Sequence, residues 1–331
     1  MSSKALIVAG LVALLSSRLT TCRSPGEGGG DASQPRSDVA VELKGVDTSS
    51  LTARERSDWS ESVSHLLSPC ADQAVPLAQC VNEGRPCRGC LPAVRLLLKE
   101  VQRGRTQTQI ETSYRDRFSS DKVKSVDLGD TPSKGPANAP IVIVEFADFE
   151  CPACGATQPV LDELYEHHQG QIRFFFKHYP LPMHQYAEKA ARAAVAAMRQ
   201  GKFWEMHAVL FKNQTQLSVE NVEKFAQGIG LDMAKFRQDR DSEATADFVA
   251  KNRKQGEALN LSGTPSIFIN GRKFGNGGGE PKQDLEEWIT LELELQGGPV
   301  TAKPAQNAAP APSAAPSPSA AAPGASAART P

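Results

Sequence analysis

The apolar positions of the chain change period several times, and each change marks an element. Ile141–Val142–Ile143–Val144 is a continuous β-branched run leading through Glu145, Phe146 and Ala147, the pattern of a strand buried on both faces. Leu161, Leu164 and Tyr165 then recur at helical spacing, so a helix opens at the Cys151–Pro152–Ala153–Cys154 segment. Between Gln171 and Lys177, Ile172, Phe174 and Phe176 alternate with Arg173, Phe175 and Lys177, which predicts a second strand. From about residue 184 to 260 the pattern is helical throughout, from the alanine-rich stretch Tyr186–Met198 to the closing stretch Ala244–Leu259. Ser266 to Ile269 is a third strand, Asn270–Gly271 a two-residue hairpin signal, and Arg272 to Phe274 the paired strand. Asp284 to Leu295 closes the block as a helix with Leu285, Trp288, Ile289 and Leu293 inward.

The first half of the chain is poorer in apolar residues. Residues 51–118 predict a small helical module: one helix carrying Trp59, Val63, Leu66 and Leu67, one with Val94, Leu97, Leu98 and Val101, and one with Ile110, Tyr114 and Phe118. That core is thin, and disulfides from Cys70, Cys80, Cys87 and Cys90 would reinforce it. Residues 1–21 read as an export signal, with Lys4 ahead of an apolar run from Ala5 to Leu15 that is too short to span a bilayer. Leu19–Thr20–Thr21–Cys22 resembles a lipoprotein processing box, which makes Cys22 a candidate for lipidation; a secreted soluble form and an uncleaved anchor are the alternatives. Residues 22–50, rich in Gly, Ser, Asp and Pro, are expected to be a flexible tether, 119–140 a polar linker, and 297–331 a disordered Ala/Pro-rich tail.

Charge and cysteine usage narrow the function. The net charge is −1, from 37 basic and 38 acidic residues, which argues against nucleic acid as a partner. An exported chain with 7 cysteines belongs in an oxidising compartment, periplasmic or at the cell surface. Three states remain open for Cys70, Cys80, Cys87 and Cys90: two structural disulfides, a second redox pair at Cys87 and Cys90, or a four-thiolate zinc site. The 6 histidines are scattered, and His167 and His168, being adjacent, are expected to face different ways, so no metal site is expected.

The chemistry concentrates at Cys151. At a helix N-terminus, unpaired N–H groups and the helix dipole stabilise a thiolate. Cys154, one turn further in, is placed to attack a mixed disulfide on Cys151, so the pair predicts thiol–disulfide exchange with Cys151 as nucleophile and Cys154 as resolving thiol. A half zinc site or a structural disulfide is the plain alternative for an isolated C-x-x-C. Glu145 stands inside an apolar strand, where a carboxylate is costly unless paired or able to reach water.

Phe146–Ala147–Asp148–Phe149–Glu150–Cys151–Pro152–Ala153–Cys154 resembles the active-site segment of DsbA-like thioredoxin-fold oxidoreductases. Gly263–Thr264–Pro265–Ser266–Ile267–Phe268–Ile269–Asn270–Gly271 is similar to a second segment of that family, and Phe203–Trp204–Glu205–Met206–His207 to its helical insertion. The resemblance covers roughly residues 125–297. It implies an α/β fold: a thioredoxin domain at 141–296 with helices inserted at about 184–260, preceded here by the cysteine-containing helical module. It implies a cis Pro265 beside the redox cysteines, offering a backbone edge to substrate, with Thr264, Pro152 and Ala153 lining the contact. It also places an acidic residue, Glu145, beneath the cysteines with Lys177 as its partner, to relay the proton of Cys154. Strong oxidants of the family often carry His where Ala153 stands, and this departure weighs against a very strong oxidase. The expected activity is protein disulfide exchange in either direction. It would need no cofactor, would act on cysteine-containing exported proteins, and would be recycled by a membrane redox partner. A redox-inactive peptide-binding module, and a metal-delivery protein acting through the N-terminal cysteines, are the rival expectations.

Overall fold

The five-stranded sheet has the order β1-β3-β2-β4-β5 in this computed structural model. The structure describes residues 40–275 and 280–297. The export signal, Cys22, the tether up to residue 39 and the tail from residue 298 therefore lie outside the described residues. β2 (Ile141–Ala147) is central. It runs parallel to β3 (Ile172–His178) and antiparallel to β4 (Ser266–Ile269), which pairs with the short β5 (Arg272–Lys273). β1 (Ser133–Lys134) closes the other edge, antiparallel to β3.

The uninterrupted apolar run of β2 is explained by burial on both faces. Ile141, Ile143 and Ala147 belong to one core with Phe174 and Phe176 of β3, whereas Val144 and Phe146 belong to a second core with Phe175 and Phe268. The first core is covered by α5 (Pro152–His167), by α11 (Pro281–Gln296) and by the inserted block of α6 (Ala187–Met198), α7 (Phe203–Lys212), α8 (Val219–Gly228), α9 (Met233–Asp241) and α10 (Glu243–Ala258). α6 is alanine-rich because it runs through the middle of that block: Ala190, Ala193, Ala194, Ala196 and Ala197 are all fully buried. α8, α9 and α10 each begin at a side-chain cap, from Ser218, Asp232 and Ser242. The α/β thioredoxin fold with a helical insertion is as expected.

The N-terminal helices are α1 (Ala53–His65), α2 (Leu77–Asn82), α3 (Cys90–Gln102) and α4 (Gln107–Phe118). α1 and α4 open with capping boxes, Thr52 with Glu55 and Thr106 with Gln109. Trp59, Val63, Leu97, Val101 and Ile110 form their core, against which Leu291 and Leu295 of α11 also pack. The cysteines form two disulfides, Cys70–Cys87 and Cys80–Cys90. A second redox pair at Cys87 and Cys90 is thereby corrected: Cys90 opens α3 and faces Cys80 of α2, while Cys87 reaches back to Cys70. The same bonds consume the four thiolates a zinc site would need.

Two segments expected to be loose are fixed. Leu43 and Leu51 are buried, Trp59 donates its Nε1 hydrogen to the Val41 carbonyl at 2.9 Å, and Ser60 accepts from Val41 N at 3.0 Å, so residues 40–50 are not tether. The 119–140 stretch contributes β1, and Lys124 N donates to the Gly271 carbonyl at 2.7 Å, so it is an edge of the sheet rather than a free linker.

Polar contacts also join the small module to α11. Arg103 pairs with Asp284 at 2.6 Å, Arg95 with Glu294 at 3.1 Å, and Arg117 with Glu292 at 2.5 Å. The last pair is the most enclosed, with Arg117 3% and Glu292 6% exposed, and Arg117 lies over the Trp288 ring. Removing one partner strands a buried charge. Arg117→Ala is expected to lower unfolding stability by about 3–5 kcal/mol, and the joint replacement Arg117→Met with Glu292→Leu by much less. Urea unfolding of the three proteins checks this, and equal losses in the single and joint variants would contradict it.

Candidate active site

Cys151 is the N-cap of α5, and Pro152 occupies the first helical position, where a missing N–H costs nothing. Both Cys151 and Cys154 are free thiols, 6% and 0% exposed, while Pro152 and Ala153 between them are exposed. The Cys151 thiol lies 3.5 Å from the Thr264 carbonyl, and the Thr264–Pro265 peptide that follows is cis. Sequence positions 151 and 264 are thus brought side by side, with the backbone that leads into β4 next to the Cys151 sulfur. Burial, and then the charge of nearby Glu145, push the Cys154 thiol well above its usual range.

The loop that carries Cys151 is held by side chains absent from the sequence reading. Asp148 is 2% exposed and accepts from Glu150 N and Leu181 N, both at 2.8 Å, and from His184 Nδ1 at 2.7 Å. Glu150 accepts from Tyr186 N at 2.6 Å. Gln214, from the turn between α7 and α8, donates its Nε2 hydrogens to the Phe149 carbonyl at 2.8 Å and the Cys151 carbonyl at 2.9 Å. Beneath the loop Phe149 stacks on Phe176, ring centroids 5.1 Å apart, beside His178 and His207, whose imidazoles burial pushes down to about 3. Two alternating acidic residues around Phe149 were the available signal for Asp148 and Glu150; nothing local marks Gln214.

Glu145 and Lys177 do not form a pair. Glu145 is in register with Phe176, and Lys177 with Phe146, so side-chain alternation sends them to opposite faces of the sheet. The Lys177 ammonium donates to the Asp127 carbonyl at 2.5 Å, and burial pushes it down to about 8. Glu145 is fully buried on the Cys154 face, and Gln158 Nε2 of α5 lies 2.8 Å from each of its oxygens. Burial pushes the Glu145 carboxyl up to about 8, against the Gln158 hydrogen bonds and the field of Lys134. Lys134 of β1, and not Lys177, is thus a cation whose field reaches Glu145; it is enclosed by the rings of Tyr165, Phe174 and Trp204 at 4.6, 5.4 and 5.0 Å.

His167 and His168 do not diverge as adjacent residues on a regular helix would. α5 ends at His167, and both rings turn to Glu286 of α11, with His168 Nε2 at 2.8 Å and His167 Nδ1 at 3.4 Å. This trio and Cys80, Cys87 and Cys90 are the groups of metal-ligand type among the described residues. The cysteines are spent in disulfides, and the histidines have Glu286 as their direct partner.

A family model described as thioredoxin matches residues 127–290. The chain is 39% identical over 141 residues to the Na(+)/H(+) antiporter NhaA 3 of Salinispora tropica, a match that spans 42% of this chain and 22% of that protein. The chain therefore spans about a fifth of the length of that curated relative. Among solved structures it is similar to oxidised BdbD of Bacillus subtilis, at 22% identity and a TM-score of 0.47 over 53% of this chain and 97% of that one. It is also similar to the thiol-disulfide exchange protein alpha-DsbA2 of Wolbachia pipientis, at 20% identity and a TM-score of 0.43 over 55% and 92% of the two chains. Among the described residues no helix is long and apolar enough to cross a membrane.

Proposed function

Since residues 127–290 belong to the thioredoxin family, we propose that the chain is an exported, DsbA-like protein disulfide oxidoreductase working through Cys151 and Cys154. One observation carries the reading. A thiol at a helix N-cap, with a second, buried thiol one turn in, faces the backbone edge at Thr264–Pro265 across 3.5 Å. The edge aligns an extended substrate segment by main-chain pairing, with Thr264, Pro152 and Ala153 at its border.

In the oxidising direction a substrate thiolate attacks the sulfur of Cys151 in the Cys151–Cys154 disulfide. A substrate–Cys151 bond forms, and Cys154 leaves with the electron pair. The buried setting disfavours the Cys154 anion, and Glu145, protonated below about 8, supplies the proton. The second substrate thiolate then attacks the substrate sulfur of the mixed disulfide, a substrate disulfide forms, and Cys151 departs with the electron pair. Two electrons have moved from substrate to the enzyme dithiol, and a partner disulfide takes them back. The reverse sequence reduces a substrate disulfide. The cysteines hold the electrons themselves, so the scheme calls on no cofactor.

The four-cysteine module at 51–118 is assigned a structural role, its two disulfides suiting an oxidising compartment outside the cytoplasm. A membrane tether through Cys22, and membrane recycling partners, belong to the same proposal.

The test is equilibration of the whole protein with glutathione, followed by alkylation and mass analysis of the peptide holding Cys151 and Cys154. A potential near about −120 mV makes the protein a disulfide donor, and one near about −270 mV makes it a reductase. A pair that fails to exchange with glutathone-range buffers overturns the reading in favour of a peptide-binding module.

A further inference from the structure

Gln214 belongs to none of the segments that carry the exchange chemistry, yet it touches the nucleophile's backbone more closely than any other side chain from the insertion. It lies in the turn Gln214–Gln216, 63 residues along the chain from Cys151. Its amide nitrogen has two hydrogens, and two acceptors are in reach: the carbonyls of Phe149 at 2.8 Å and of Cys151 at 2.9 Å. These carbonyls bracket residues 150 and 151. Because peptide units are rigid planes, fixing both oxygens fixes the direction of the Cys151 side chain. The Cys151 carbonyl also accepts from Gly155 N at 3.1 Å, so Gln214 joins the first turn of α5 as an external member.

The sequence makes room for this contact. A Cβ on Gly155 would stand 2.0 Å from Gln214 Oε1, 2.6 Å from its Cδ and 3.0 Å from its Nε2. Gly155 is not in the left-handed region, so its backbone conformation does not demand glycine. A glycine inside a helix costs about 1 kcal/mol relative to alanine. Here that cost is accounted for by the close approach of the Gln214 amide to the helix. The other contacts named for the loop fall on residue 150: the Asp148 carboxylate accepts from Glu150 N at 2.8 Å and Tyr186 N donates to the Glu150 carboxylate at 2.6 Å. Of these side chains only Gln214 bonds residue 151, whose N–H donates to the Asp148 backbone carbonyl at 3.1 Å.

We infer that Gln214 is a positioning residue for Cys151: the inserted helical block, through this amide and the gap at Gly155, aims the sulfur at the Thr264–Pro265 edge. The inference deepens the exchange function proposed above and rests on it for its meaning, but its test does not. Reduced whole protein, Gln214→Met, Gly155→Ala and the double variant are compared for the rate at which Cys151 attacks an aromatic disulfide and is alkylated by iodoacetamide, with thermal stability recorded alongside. Each single variant is expected to be about tenfold slower at Cys151 while still native, as a misaimed nucleophile is. The double variant is expected to be no slower than the slower single one, because both changes break the same contact. If stability falls while both rates stay at the wild-type value, Gln214 only anchors the insertion and the inference is overturned. If the wild type fails to exchange with peptide disulfides but the variants are still alkylated more slowly, the exchange function fails and the positioning role stands.

Discussion

Replacing Cys154 with alanine is expected to turn the protein into a trap. Cys151 remains at the α5 N-cap, faces the Thr264 carbonyl at 3.5 Å and still attacks a substrate disulfide, but no second thiol releases the product. The mixed disulfide should accumulate to one equivalent and persist on a non-reducing gel, with mass analysis placing it on Cys151. Cys151→Ala, by contrast, removes the reactive atom and should lower exchange on the order of 1000-fold or more. The remaining thiol, at 0% exposure and with its ionisation opposed by burial and by Glu145, is poorly placed to substitute. An adduct on Cys154 in the Cys151→Ala protein would reverse the assignment of the two sulfurs.

Glu145→Gln is expected to act on both chemistry and stability, with a sign that pH reveals. The native state holds the Glu145 proton up to about 8, whereas the unfolded chain gives it up near the ordinary glutamate value of 4.5. Between those values the native state binds more protons, so this group's contribution to stability is fully present below about 4.5. It is lost as pH rises through about 8, by about 1.4 kcal/mol per pH unit. The glutamine variant lacks that slope. Relative to wild type it should gain stability steadily from pH 5 to pH 8, measured as the difference in urea unfolding between the two proteins. Exchange should respond in the opposite sense: without a carboxyl to protonate the departing Cys154 sulfur, the rate should fall by about 100-fold, and its decline as pH approaches 8 should disappear. A variant whose stability and rate both track wild type across this range would remove Glu145 from the mechanism.

The core of the fold was legible because its signals are local and strong. The β-branched run of β2, the alternation of β3, the Asn270–Gly271 turn and the helical stretch between them each follow from period and turn chemistry. β1 was not legible, since Ser133–Lys134 is a two-residue edge strand with no period to detect. Residues 40–50 read as tether by continuity with the Gly- and Pro-rich stretch ahead of them; Leu43, Leu51 and the Trp59 hydrogen bond decide otherwise.

At the site, Cys151, Cys154 and Pro265 came from motifs, and Glu145 from a polar residue where an apolar one was expected. The resemblance implied Lys177 as the partner of Glu145, but the register pairs Glu145 with Phe176, and one step of register reverses the face. Gln158, Gln214 and Lys134 act through tertiary contacts, and no sequence period marks a hydrogen bond made across 63 residues.

The two disulfides of the N-terminal module bear on how the molecule matures. Cys70, Cys80, Cys87 and Cys90 leave the ribosome as thiols, and linking them as Cys70–Cys87 and Cys80–Cys90 requires that four electrons depart. A newly made chain is therefore a client of the kind of reaction proposed for its own second half. Since the linked bonds interleave along the chain, an early bond between Cys87 and Cys90 must be undone before the module can close. Should the proposed exchange run in the oxidising direction, the first finished copies would hasten the ripening of those that follow.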